Sequence, residues 1–303
     1  MTGQPSLSSA AGKLLVVDGH AYAYRAFYAI RNLTSPEGKP TNAIYGFVKM
    51  LGRMRERVQP THLAVMWDGG LAAERMKLLP EYKQQRAPMP TDLRSQFDEM
   101  DAYLGAARIT SICHEGVEAD DLIATAARCA ERENFSVVIA SADKDFMQLV
   151  SARIGLLNPN DKSENIWSAA EVRAKSGVEP EQIVDWLSLV GDSVDNIPGV
   201  QGIGPKTAAV LLAQFGTIEK LYAQLGEVKS EKTRAHLCAA EAEMRRNREL
   251  IRLRDDLATL PPLANFETRP MDEAALLALY SRWGFRTLHT ELEAKLRLPP
   301  ELF

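Results

Sequence analysis

Nine carboxylates in this chain stand where they could act together. Asp18 follows the apolar run LLVV, Asp68 follows AVMW, and Asp143 and Asp145 follow VVIASA. Glu118, Asp120 and Asp121 open a helical pattern, and Asp192 and Asp195 lie three apart in GDSVDNIPG. An all-carboxylate set without paired His or Cys suits hard, oxygen-seeking ions, so Mg²⁺, with Mn²⁺ as a substitute, is expected in preference to zinc. Two bare carboxylates about 4 Å apart repel by roughly 4 kcal/mol at an effective dielectric of about 20, so a cluster must hold cations or keep protons. Two ions about 3.5–4 Å apart would activate a water and stabilise the leaving oxygen of a phosphodiester.

Directly after the last acidic pair, residues 199–208 read GVQGIGPKTA. Gly199, Gly202 and Gly204 permit positive φ and close backbone approach, and Pro205 suits the first turn of a helix whose amides then face an anion. A P-loop would need Gly-Lys-Ser/Thr four spacer residues after its first Gly. Here Pro205 separates Gly204 from Lys206 and Thr207, and helical patterns lie on both sides. A helix-hairpin-helix clamp on a phosphodiester strand fits better, and such contacts position the backbone without reading sequence. The short span between acids and hairpin then sets the distance from gripped duplex to cut phosphate.

Each motif has an ordinary reading when taken singly. Acids in a first helical turn meet the helix dipole, and an Asp that ends a strand is commonly a turn residue. The elements that carry them join them. Apolar runs at 14–17, 63–67, 109–113, 137–140 and 154–157 read as strands. Helical spacing fills the gaps: Ile44, Phe47, Val48, Leu51 and Met54; then Leu93, Phe97, Met100 and Leu104; then Leu122, Ile123, Ala126 and Ala130. Alternation of this kind predicts an α/β fold, a mostly parallel central sheet flanked by helices, with its sites at the carboxyl ends of the strands. Four of the carboxylates fall at that edge. Glu118 and Asp121 share one helical face, Asp120 can reach the sheet edge, and Asp192 and Asp195 share a face if their segment is helical.

From about residue 181 the strand signals stop. Helices are expected at 183–190, 205–215, 218–225, a long charged stretch 231–256, and 271–283 before the chain reaches Pro299-Pro300. The expected organisation is a flexible tail over 1–12, an α/β core over 13–178 with an inserted segment 69–91, and a helical region over 179–303. At 46% apolar and 25% charged, 303 residues form a real core, and no run approaches the ~20 apolar residues of a membrane helix. Three widely spaced cysteines, Cys113, Cys129 and Cys238, fit a reducing cytoplasm and neither a disulfide framework nor zinc. The net charge of −4 is unusual for a phosphate binder, yet without the nine carboxylates 31 acids face 36 bases.

The segment 69–91 contains EYKQQRAP, where Lys83 and Arg86 could hold a phosphate and balance its developing charge. Tyr24 and Arg25, in the helix after Asp18, could stack on a base and contact a phosphate in the same mouth. Packing among Tyr22, Phe27 and Tyr28 is the equal alternative for Tyr24. His20 and His114 lie near this rim and are read as structural hydrogen-bonders.

Five blocks in order, LLVVDGHAYAYRAFYA, EYKQQRAP, GVEADDLIATAA, ASADKDFMQLV and GDSVDNIPGVQGIGPKTAAVLL, resemble the 5′ nuclease (flap endonuclease) family in its bacterial form, which heads polymerase I or stands alone as a small exonuclease. The resemblance implies a PIN-like core with a helical arch over 69–91, and a structure-specific, metal-dependent 5′-3′ exonuclease and flap endonuclease of replication and repair. It makes Asp18, Asp68, Glu118, Asp120, Asp121, Asp143, Asp145, Asp192 and Asp195 ligands of two Mg²⁺ ions. Glu118, Asp120 and Asp143 would favour the first ion, and Asp145, Asp192 and Asp195 the second. It places Lys83 and Arg86 on the arch around a single-stranded 5′ end, Tyr24 and Arg25 near the cut, and a K⁺ ion at the hairpin. The implied partners are branched or 5′-ended DNA, RNA–DNA hybrids and, in a longer parent chain, a covalently joined polymerase. A monomer of the bacterial cytoplasm without membrane contact is implied as well. Two departures, Gly69-Gly70 after Trp67-Asp68 and the pair Gln84-Gln85, affect the shape of the arch and leave the ligands untouched. A branched-DNA-binding module that does not cut is the alternative, and it predicts missing ligands. An aspartyl-nucleophile phosphatase wants a second Asp two residues after Asp18, where His20 stands.

Overall fold

A computed structural model describes residues 10–161 and 165–297. Of the expected tail over 1–12, residues 1–9 lie outside the described residues, as does the proline pair at 299–300, whereas Ala11 N donates to Asn134 O (2.9 Å). Chain order runs β1 (Lys13–Asp18), α1 (Gly19–Ala29), α2 (Asn42–Val58), β2 (His62–Trp67), α3 (Ala73–Leu78), α4 (Thr91–Arg94), α5 (Phe97–Ala106), β3 (Thr110–Cys113), α6 (Ala119–Arg132), β4 (Ser136–Ala140), β5 (Ile154–Leu157), β6 (Ile166–Trp167) and α7 (Ala169–Ser176). It continues with α8 (Ile183–Val190), β7 (Gly191–Asp192), β8 (Ile197–Pro198), α9 (Pro205–Phe215), α10 (Ile218–Ala223), α11 (Glu231–Ala239), α12 (Glu241–Ile251), α13 (Glu273–Trp283) and α14 (Arg286–Arg297).

The main sheet has the order β3-β2-β1-β4-β5-β6, parallel except for the edge strand β6. Its strands are apolar without alternation because both faces are covered. Leu14 and Val16 of β1 pack with α6 and, beyond it, with α8, α9 and α12; Leu15 and Val17 pack with α1, α2, α5, α13 and α14 on the opposite face. One core therefore runs without a break from the sheet into the helical region. β1 leads outward to β2 on one side, and the chain returns to pair β4 on the other. The carboxyl ends of β1 and β4 thus flank the switch point, the natural crevice of an open α/β sheet. Asp18 ends β1, and Asp143 lies just past β4.

The five expected strands are present, and so are the helices of the first half, except that the pattern through Leu93 and Phe97 is broken at 95–96 into α4 and α5. Elsewhere the chain departs from its sequence pattern. The stretch 231–256 breaks at Ala240 into α11 and α12, which ends at Ile251, and α14 follows α13 beyond a left-handed Gly284. Asp192 and Asp195 lie not on a helix but on a hairpin, β7 pairing antiparallel with β8. Its strands are too short to show a period. The close approach is set by glycine: a Cβ on Gly191 would meet Gly199 N at 2.4 Å, and one on Gly199 would meet Val190 O at 2.2 Å.

Gly69 is likewise fixed by contact and not by a need for flexibility. The loops after β2 and β3 exchange hydrogen bonds, Gly69 N to Val117 O and Gly116 N to Gly69 O, both 2.9 Å. A Cβ on Gly69 would sit 1.7 Å from His114 O, whereas one on Gly105 in α5 meets nothing within 4 Å. Gly69→Ala is expected to destabilise the protein by about 3 kcal/mol through forced backbone displacement. Gly105→Ala should be neutral or add up to about 1 kcal/mol. Chemical denaturation of the two variants checks this, and equal stability would refute the close-approach account.

Candidate metal centre and nucleic-acid interface

The carboxylates at the switch point are held by backbone amides at the starts of helices and turns. Asp18 caps α1 by accepting from Ala21 N (3.0 Å), and its second oxygen accepts from the Ser141 hydroxyl (2.8 Å). Asp68 accepts from Ala119 N at the first turn of α6 (2.8 Å), Asp143 from Asp145 N (2.9 Å), and Asp192 from Val194 N (2.9 Å). The capping reading and the ligand reading are therefore compatible, because each such cap engages one oxygen of a carboxylate that has two. A cleft of about 480 Å³ opens over them, lined by Asp18, Asp68, Asp120, Asp143 and Asp192 together with His20, Tyr24, Lys83, Arg86 and Lys144.

At one end of this cleft, oxygens of Asp145, Asp192 and Asp195 lie within 4.8 Å of one another. Asp145 Oδ1 is buried without a hydrogen-bond partner. A buried carboxylate oxygen so placed is costly unless a cation meets it. The donor set, three carboxylates with no nitrogen or sulfur, fits a hard divalent ion. Glu118 is buried close to Asp195, among Ala72 N (3.2 Å), Lys83 Nζ (2.5 Å) and the Tyr82 hydroxyl, which lies 3.2 Å from both acids.

Burial first, and charge repulsion after it, set the protonation of these groups. Burial, opposed by hydrogen bonds from Ala21 and Ser141 and reinforced by Asp68 and Asp143, raises Asp18 to about 6. Burial and neighbouring carboxylates also push up Asp120, Asp143 and Asp145. Burial alone would raise Glu118, but Lys83 and Arg75 overrule it and hold the group below its ordinary value. Lys83, which burial would discharge, is kept a cation by Asp120, Glu118 and Asp195. His20 is held down by burial against the pull of Asp68, and its Nδ1 accepts from Asp68 N (3.1 Å), the neutral, structural role expected of it.

Asp121 is the carboxylate that the fold does not bring to the cleft. Its two oxygens accept a fork from Arg75, Nη1 to Oδ2 at 2.9 Å and Nη2 to Oδ1 at 2.8 Å, and Oδ1 also accepts from Arg254 N (2.9 Å). The fork turns it away from the cleft, so Asp121 is placed as the buried counter-ion of Arg75 and is left out of the proposed ligand set. Adjacent helical positions point about 100° apart, which sends Asp120 to the cleft and Asp121 away from it.

The segment expected to form an arch is folded down onto the site. After α3 a turn over 79–86 meets the β7–β8 hairpin: Lys83 N donates to Asp195 O (3.1 Å), Gln85 to Ser193 O (2.8 Å), and Asn196 to Glu81 O (2.8 Å). Lys83 takes a left-handed backbone (φ 56°) that buries its ammonium, 3.8 Å from Asp120 and 3.7 Å from Asp195. Arg86 pairs with Asp195 at 2.7 Å. Gln84-Gln85 is thus explained in part, since Gln85 is one of the ties. Tyr24 reaches the cleft and stacks beside Tyr28, whereas Arg25 points into a neighbouring cavity with Tyr22, Arg53 and Arg57 and donates to Asn160. The two do not share one mouth.

In the glycine hairpin only Gly202 has positive φ (77°); Gly199 is required by contact, and Gly204 is the extended N-cap of α9 with open space around its Cβ position. Gly204, Lys206 and Thr207 are exposed at the start of α9. Sequence reasoning missed Tyr82, Lys144 (3.0 Å from Asp192), Ser141 and Arg75. Tyr82 and Lys144 were within quoted motifs, and their contacts depend on long-range closure that no local pattern carries.

Two family models match the chain, the 5′-3′ exonuclease N-terminal resolvase-like domain over residues 13–177 and the 5′-3′ exonuclease C-terminal SAM fold over 178–274. DNA polymerase I of Bacillus caldotenax is 38% identical over 284 residues, 93% of this chain and 32% of that protein, so the chain spans about a third of such relatives. The 5′-3′ exonuclease of Aquifex aeolicus is 37% identical over 80% of this chain and 82% of its own length. The bacteriophage T5 flap endonuclease, solved with DNA and metal ions, superposes with a TM-score of 0.66 at 22% identity, covering 93% of this chain and 98% of the phage protein, a likeness of fold. The two family models together span residues 13–274, and the chain belongs to the 5′-3′ exonuclease family.

Proposed function

We propose that this chain hydrolyses phosphodiester bonds at 5′ ends and 5′ flaps of branched DNA, and of RNA in RNA–DNA hybrids, using two divalent ions, Mg²⁺ or Mn²⁺. The observation that carries the reading is the convergence of Asp145, Asp192 and Asp195 with an unpartnered buried oxygen among them, in a cleft also lined by Asp18, Asp68, Asp120 and Asp143. Asp18, Asp68, Glu118, Asp120 and Asp143 are the proposed ligands of one ion, and Asp145, Asp192 and Asp195 of the other. Bound there, the ions supply Lewis-acid stabilisation of the charge that develops on the phosphate. Lys83 and Arg86, which meet Glu118 and Asp195 in this structure, would hold the scissile phosphate, and Tyr24 would stack on the adjacent base. Gly199, Gly202, Gly204, Lys206 and Thr207 grip the duplex backbone, with a K⁺ ion at the hairpin. The same reading makes 13–178 the nuclease core and 179–303 the DNA-binding region of a monomer in the bacterial cytoplasm. The resemblance to polymerase I leads us to propose that related chains work joined to a polymerase. Among the described residues no helix is long and apolar enough to cross a membrane.

A labelled 5′-flap substrate should be cut with Mg²⁺ and left whole in chelator. Asp143→Asn should retain flap binding while kcat drops by more than about a hundredfold, beyond the loss typical of an outer partner. Wild-type cutting by this variant would remove the metal mechanism, and binding without cutting by the unmodified protein would leave the junction-binding alternative.

Lys206→Ala should weaken binding equally for unrelated duplex sequences and lower the slope of log K against log salt by about 1. An unchanged slope would take Lys206 off the phosphate path.

Raised carboxylates stabilise the fold below their unfolded values and lose that contribution as pH rises through their folded ones. For Asp18 the window runs from 3.8 to about 6, worth about 3 kcal/mol. Glu118, and outside the rim Glu171, Glu179 and Glu219, have the opposite sign, so the Asp18 contribution is read against Asp18→Asn. In chelator the melting temperature of the unmodified protein should fall relative to that of Asp18→Asn from about pH 4 to about pH 6. Mg²⁺ should reverse the relative fall. A difference that stays constant over that window without metal would contradict the buried-rim electrostatics.

A further inference from the structure

Arg75 is 5% exposed, and the cleft chemistry described above does not use it. Besides the fork on Asp121, its Nε donates to Leu250 O (3.0 Å) and Nη2 to Arg252 O (3.3 Å), while Nη1 lies 3.5 Å from Glu118 Oε2. Leu250 and Arg252 sit at the carboxyl end of α12, where carbonyls lack partners within the helix and the dipole favours a cation. Asp121 holds the next residues through Arg254 N. At its other contact α12 reaches the glycine hairpin: the fully buried Asn247 donates to Pro198 O (2.7 Å) and Ser188 O (3.4 Å). A continuous path thus runs from Pro198, beside the hairpin, through α12 to Arg75 and on to Glu118.

We propose that Arg75 is a positioning residue that sets Glu118 according to how α12, and with it the glycine hairpin, is docked. The proposal rests on the nuclease reading of the cleft. A planar guanidinium can serve Asp121, two carbonyls and the field at Glu118 at once because its five N–H donors diverge in fixed directions. A lysine ammonium keeps the charge and loses that geometry.

Arg75→Lys is the first test, read with melting temperature as a check of folding. At saturating Mg²⁺ and flap DNA, kcat should drop about ten- to a hundredfold, with KM and the flap-DNA Kd in chelator unchanged. Asn247→Ala should lower kcat in the same way, and the double variant should lose no more than the worse single one, because both act along one path. If Arg75→Lys does not fold, Arg75→Met with Asp121→Asn removes both buried charges together and should show the same kcat loss. Mn²⁺ titration followed by electron paramagnetic resonance needs no substrate, and Arg75→Lys should weaken binding about tenfold through a displaced Glu118. Wild-type kcat in a folded Arg75 variant, or losses that multiply in the double variant, would overturn the proposal. Should the unmodified protein cut no flap, the nuclease reading falls on its own, and an unchanged Mn²⁺ affinity in Arg75→Lys then overturns the positioning role separately.

Discussion

Eight carboxylates gathered at one edge of a parallel sheet must be kept from driving one another apart, and most of what surrounds the cleft serves that end. Backbone amides take one oxygen each of Asp18, Asp68, Asp143 and Asp192. The helix and turn starts that supply those amides are positive poles, so the acids gain electrostatically where they are fixed geometrically. Cations meet the remainder: Lys83 faces Glu118, Asp120 and Asp195, Arg86 faces Asp195, and Lys144 faces Asp192. Even so, Asp18, Asp120, Asp143 and Asp145 hold protons more tightly than ordinary aspartates. The balance is incomplete in a way that a divalent ion completes.

The counter-charges are of two kinds. Arg75 and Asp121 satisfy each other bidentately deep under the rim, and breaking such a pair strands a buried charge, at a cost of about 3–5 kcal/mol. That pairing is a permanent part of the fold. Lys83 and Arg86 reach the rim from a turn, on flexible side chains, and each meets carboxylates that a metal can also neutralise. On the proposed reading those contacts are exchangeable. The number of occupied oxygens does not by itself separate a structural acid from a candidate ligand, since Asp18 also accepts at both oxygens while lining the cleft. What sets Asp121 apart is that its oxygens meet a buried arginine and the Arg254 amide away from the cleft, whereas Asp145 keeps a buried oxygen without a hydrogen-bond partner.

Sequence revealed the site as far as local geometry determines it. The five main strands were legible because burial on both faces makes them continuous apolar runs, and the acids that follow them then had to share an edge. Helical phase also placed Glu118 and Asp121 together, which they are, around Arg75. It could not say that the shared partner was an arginine 46 residues away. The β7–β8 hairpin escaped because two-residue strands have no period, and its signal was steric: Gly191 and Gly199 are glycines because backbone meets backbone. Gly69, which looks like a source of flexibility, is fixed for the same reason. The turn at 79–86 was invisible for a different cause, since its conformation is set by Asp195 and Asn196, far along the chain.

The span between the acidic pair and the glycine hairpin is rigid, and its rigidity does not come from its length. Asp192 pairs with Ile197 across β7–β8, the glycines at 191 and 199 lock the two strands in contact, and Asn247 of α12 fastens Pro198. Trp186 of α8 donates to Pro205 O at the start of α9, so the helices on either side of the hairpin are tied as well. On the proposed reading, the distance from gripped duplex to cut phosphate is consequently a property of packing. A flexible tether of the same residues would let the acids and the hairpin move apart by thermal motion, and misplacement of about 1 Å can cost a hundredfold in rate. The fold avoids this by making the connector part of the same core that carries the sheet, so that the clamp and the metal rim share one rigid frame.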